Sequence, residues 1–119
     1  MLAGKKVLLV EDEYFLADEA RRALVQAGAL VIGPFAEVAD GFEAVSSNPD
    51  LSAAVLDINL RGTPVYEVAK VLRERDIPFL FTTGYDKAAI PAAYQDVPRC
   101  EKPAKVDEFV RLLDGLLPA

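Results

Sequence analysis

The chain has 119 residues, 52% of them apolar, which is room for one hydrophobic core and hardly for a second domain. Its net charge of −6, with lysines and arginines scattered along the sequence, excludes a general nucleic-acid surface, which needs a cationic patch to displace counterions from phosphates. With no histidine and one cysteine, Ser-His-Asp and Cys-His catalysis and a zinc cage are also excluded, so any chemistry must run on carboxylates, hydroxyls and lysine. The apolar stretches fall far short of the roughly 20 residues of a membrane span, and the run after Lys5 and Lys6 is too short for a signal peptide. A cytoplasmic location with no membrane partner is therefore expected. Cys100, between Arg99 and Glu101, is expected to be a free thiol on or beside a strand, in a reducing compartment.

In chain order, the first strand is expected over 6–10 (KVLLV), followed by a helix whose apolar face carries Leu16, Ala20, Ala23, Leu24 and Ala27 and which Gly28 ends. A second strand is expected over 30–35 (LVIGPF), then a helix over about 36–48 that stops before the turn-forming SNPD. The third strand is AAVLD at 53–57. Thr63 and Pro64 then read as the N-cap and first residue of a helix carrying Val65, Val68, Ala69 and Leu72. PFLFT at 78–82 is the fourth strand. DKAAIPAAYQD comes next, with alanines enough for a fourth helix whose interior Pro91 would break unless the helix begins just there. VPRC at 97–100 is a fifth, weaker strand, and Val106, Phe109, Leu113, Leu116 and Leu117 form one face of a last helix. The strands lack period-2 alternation, so both faces of each are expected to be buried.

Five strands alternating with five helices, without repeats or long linkers, predict an α/β fold: a doubly wound five-stranded parallel sheet, one domain over 1–119 with no output domain. The initiating Met and the close after the last helix lead to the expectation of a complete chain. In such sheets ligands bind beyond the carboxyl ends of the strands, where strand order reverses. Glu11 and Asp12 leave the first strand there, Asp57 the third, Thr82 and Thr83 the fourth, and Lys102 comes after the fifth. Glu13 is better placed as a first-turn acid of the first helix, favoured by the helix dipole, than as a ligand. Three crowded carboxylates call for a hard cation, and Mg²⁺ takes a few carboxylates while leaving room for a phosphate. Such a site, with an Asp, points to phosphoryl transfer.

VLLVEDE, AVLDINLRG, FLFTTGY and CEKP, in this order and spacing, resemble the receiver domain of bacterial two-component response regulators over essentially the whole chain. The resemblance implies a flavodoxin-like (βα)5 fold and a set of roles. Asp57 matches the phosphoacceptor, Asp12 a direct Mg²⁺ ligand, Glu11 a ligand through water, and Asn59 the main-chain carbonyl of the metal sphere. Thr83, which precedes the small Gly84 and so is favoured over Thr82, matches the hydroxyl that bonds the phosphoryl group, and Lys102 the amine that pairs with it. Pro103 would follow a cis bond. PFLFTTGYD is similar to the FATGUY subclass, often stand-alone and associated with HWE-type histidine kinases, although Thr82 stands where that motif has alanine.

The implied function is that of a single-domain response regulator, a monomer and not an enzyme in the ordinary sense. It would take a phosphoryl group from a sensor histidine kinase or phosphotransfer protein onto Asp57 with Mg²⁺, and signal or relay it by protein contact. One departure touches the switch: Arg99 stands three residues before Lys102, where many receivers carry the Tyr or Phe whose ring moves with the threonine. Tyr85 is a candidate substitute, and the signal is expected to act through residues 84–96, where Gly84 and Pro91 disfavour a rigid helix. Two other functions fit the same fold. A pseudo-receiver interaction module would have no need of Glu11, Asp12, Asp57, Thr83 and Lys102 together. A phosphohydrolase of the haloacid dehalogenase type would need an acid two residues past its nucleophile, where this chain has Asn59.

Overall fold

The computed structural model describes residues 2–84, 90–101 and 106–117. Strands β1 (Lys6–Val10), β2 (Leu30–Phe35), β3 (Ala53–Asp57), β6 (Phe79–Thr83) and β7 (Arg99–Glu101) form one parallel sheet in the order β2-β1-β3-β6-β7. Two short strands, β4 (Asn59–Leu60) and β5 (Thr63–Pro64), make a separate antiparallel hairpin. Helices α1 (Tyr14–Gln26) and α4 (Val106–Leu116) cover one face of the sheet, and α2 (Val38–Ser47) and α3 (Tyr66–Glu74) the other. The predicted doubly wound parallel sheet is the observed architecture.

The missing alternation has its counterpart at the sheet centre, where every residue of β3 and β6 is buried. Leu8, Val10, Leu56 and Phe81 point into the core under α2 and α3, while Val7, Leu9, Val55 and Leu80 point toward α1 and α4. The edge strand β2 corrects the expectation of two buried faces: it is only partly covered, with Leu30 57% exposed. Its course is irregular, with a register shift against β1 and a cis Gly33–Pro34 bond. Gly33 has φ +119°, and a Cβ there would stand 2.4 Å from the Leu9 carbonyl oxygen, so glycine alone fits.

Local sequence accounts for most boundaries. Glu13 caps α1, its side chain accepting the Leu16 N–H at 2.9 Å, so it stands just outside the first turn in which it was expected. Gly28, at φ +98°, closes the same helix as predicted, donating to the Val25 carbonyl at 2.9 Å. Thr63 and Pro64 are not a helix cap. They pair with Asn59 and Leu60, and α3 begins at Tyr66, because Val65 is drawn fully into the core and its amide is taken by the Ile58 carbonyl at 2.8 Å.

The expected fourth helix needs a second correction. Residues 85–89 lie outside the described residues, and the next element is a 3-10 turn, Ala92–Tyr94, entered through Pro91 in an extended conformation (φ −53°, ψ 147°). The described residues thus hold four α-helices. Side chains fasten the turn to α3: Tyr94 stacks on Tyr66 at 5.3 Å, Phe81 meets both rings edge-on, and the Arg73 guanidinium lies 5.1 Å over Tyr94 while pairing with Asp96 at 3.2 Å.

Candidate functional site

Strand order reverses between β1 and β3, and the chain leaves both strands at the same edge of the sheet. Glu11 comes directly after β1 and is 6% exposed; its Oε2 accepts the Glu13 amide at 3.1 Å. Asp12 is half-buried, and its Oδ2 accepts the Arg61 amide at 2.9 Å. Asp57 ends β3, is 4% exposed, and its Oδ1 accepts the Asn59 amide at 3.3 Å. One oxygen from each of Glu11, Asp12 and Asp57 lies within 4.8 Å of the others. Glu13, serving α1, stands outside that cluster.

Like charges this close repel by about 3–4 kcal/mol per pair at an effective dielectric of about 20. The protein offsets part of this with main-chain amides. Burial pushes the Asp12 carboxyl up, but the Arg61 amide, with contacts to Asp57 and Glu11, more than compensates and holds it below its ordinary range. The donor set is all oxygen, carries negative charge and lies at the rim of the sheet, which fits a hard divalent cation such as Mg²⁺.

Beside the acids, β6 runs one residue further than predicted and takes Thr83 into the sheet, 1% exposed, with Thr82 8% exposed. Thr82 is in register with Asp57 on one side and Cys100 on the other, and Thr83 with Glu101. Gly84 comes next, exposed to solvent, and Arg99 sits half-buried in β7 opposite Phe81. Lys102, Tyr85 and Pro103 lie outside the described residues. The contribution of Arg61 escaped sequence reasoning because it is made by an amide; the only available sign was the Arg61-Gly62 pair as a turn between two short extended stretches. Tyr14 and Phe15 were missed too: they are 69% and 78% exposed at the start of α1, their rings 5.4 Å apart.

No protein-family model matches the chain. Solved structures do: SdrG from Sphingomonas melonis Fr1 is 33% identical over 98% of each chain, with a TM-score of 0.83. The BeF3-activated conformation of SdrG is 34% identical over 99% of this chain and 100% of that one, with a TM-score of 0.77. A response regulator receiver protein from Sinorhizobium medicae WSM419 is 26% identical over 98% of this chain and 96% of its own, at a TM-score of 0.81.

The chain belongs to the response regulator receiver domains.

Receivers are signalling domains of two-component systems. Among curated proteins, the sensory transduction protein LytT of Oceanobacillus iheyensis is 29% identical over 90 residues, and the receiver spans 37% of its length. No helix among the receiver's described residues is long and apolar enough to cross a membrane.

Proposed function

We propose that this receiver accepts a phosphoryl group on Asp57 in a Mg²⁺-dependent reaction and passes the signal on by protein contact. The observation that carries this reading is the meeting of Glu11, Asp12 and Asp57 within 4.8 Å at the switch-point edge of the sheet. The donor is a sensor histidine kinase or a phosphotransfer protein, which supplies the histidine this chain lacks. An Asp57 carboxylate oxygen forms the new O–P bond as the P–N bond of the partner's phosphohistidine breaks, and the imidazole nitrogen keeps the electron pair and takes up a proton. Bound by Asp12, Asp57, the Asn59 carbonyl and, through water, Glu11, Mg²⁺ would neutralise charge on the phosphoryl oxygens. The Thr83 hydroxyl would donate to the phosphoryl group and the Lys102 amine would pair with it.

Arg99 in place of an aromatic residue directs the signal elsewhere than into β7. We assign it to residues 84–96, with Gly84 as hinge and Tyr85 beside it, because the described part of that segment is held to α3 by a few side-chain contacts. PFLFTTGYD favours membership of the FATGUY receivers and a partner among their HWE-type kinases. A stand-alone, monomeric, cytoplasmic role belongs to the same proposal. Turnover of phosphate esters is not part of the proposal, since Asn59 offers no acid and its amide is spent on Asp57.

Borohydride reduction after treatment with phosphoramidate and Mg²⁺ tests the assignment, because an aspartyl phosphate is reduced to homoserine. The expected product is homoserine at position 57 alone; modification at Asp12 or Glu11 instead would overturn it.

A further inference from the structure

The hairpin 59–64 joins the acid cluster at two points. The Asn59 amide, at its first residue, donates to Asp57 at 3.3 Å, and the Arg61 amide, at its turn, donates to Asp12 at 2.9 Å. Two donors of one hairpin thus address two different carboxylates, one of them 49 residues away in sequence. The turn itself is unusual in composition. Arg61 and Gly62 have φ +51° and +86°, the two-residue geometry in which Asn-Gly or Gly-Gly is favoured and an arginine is not. What the arginine brings is its side chain: the guanidinium reaches Glu37, just before α2, at 3.7 Å. The turn is therefore tied to α2 on one side and to Asp12 on the other.

We propose that Arg61 is a positioning residue for the cation site. Its amide engages one oxygen of Asp12 and leaves the other to the ion, and its pairing with Glu37 keeps that amide aimed. The proposal rests on the acid cluster being a cation site that serves Asp57. A preset carboxylate loses less freedom when the ion arrives, and partners of this kind typically change metal affinity by about 10–100-fold.

The test is a titration of the full chain with MgCl2, read from backbone amide resonances. The parent is compared with a variant carrying an ester in place of the Arg61 amide, with Glu37→Gln, and with Asp12→Asn. The Arg61 resonance should move on Mg²⁺ addition in the parent and stay still in Asp12→Asn. The ester should weaken Mg²⁺ binding about tenfold, and Glu37→Gln about twofold, the scale of an exposed ion pair. A charge exchange, Arg61→Glu with Glu37→Arg, should restore what either change alone removes. Parent-like affinity in both the ester and Glu37→Gln, with Asp12→Asn inactive, would overturn the positioning role and leave the cation site standing. No Mg²⁺ response in the parent would overturn both. Should the ester fail to fold, Glu37→Gln and the charge exchange decide the matter.

Discussion

Cys100 shows how the sheet treats a group that the chemistry does not use. It lies in β7, 1% exposed, and burial, with Glu108 nearby, pushes its thiol up to about 11. A raised thiol pKa means that folding favours the neutral form: the contribution to stability is full below the ordinary value of about 9 and is lost as pH rises toward about 11. Iodoacetamide at pH 8 should therefore modify the folded protein far more slowly than the urea-unfolded chain, and equal rates would contradict the burial of the thiol. The acids of the site were legible because residue type and strand end together locate them. Glu11, Asp12 and Asp57 carry a charge that a core rejects, immediately after apolar runs that a core requires. Arg61 was not, since its contact with Asp12 is made by an amide that every non-proline residue has.

Secondary structure was legible wherever apolar periodicity alone decides it. The ranges of β1, β2 and β3 agree with expectation to the residue, and Gly28 ends α1 where predicted. The failures share a cause: tertiary contacts overrode local preference. Thr63-Pro64 has the composition of a helix start, but Val65 gains more by entering the core, and the pair is drawn into a hairpin. The alanines of 88–93 favour a helix, yet past Pro91 the segment settles as a 3-10 turn clamped by Tyr66, Arg73 and Phe81. This clamp suits the segment to carrying the signal, because an aromatic pair is worth only about 0.5–1.5 kcal/mol beyond its burial. Tyr94→Ala should speed amide exchange over 90–97 by up to about tenfold while leaving α1 unchanged. Phosphorylation should alter exchange within 84–96, and protection equal to that of α1 in both states would contradict the proposal.

On the scale of the whole molecule, the parallel sheet brings residues 11, 12 and 57 together at one edge by its strand order alone. It also divides labour between its faces. The hairpin, α2 and α3 lie on one side, where the cluster is oriented and the 90–97 segment is held; α1 and α4 lie on the other, with Tyr14 and Phe15 exposed beside the acids at the start of α1. Fold class and family could be inferred from the order of strands and motifs. The clamp on Tyr94 could not, because it depends on contacts between distant parts of the chain.

Phosphoryl transfer to Asp57 is tested most simply by the intact mass of the protein after incubation with acetyl phosphate and Mg²⁺, alongside Asp57→Asn and a sample stripped of metal. A cognate kinase would serve as donor if the small one is refused. One added phosphoryl group is expected on the parent, none on Asp57→Asn, and none without Mg²⁺. An equal gain on Asp57→Asn, or none on the parent from either donor, would contradict the assignment.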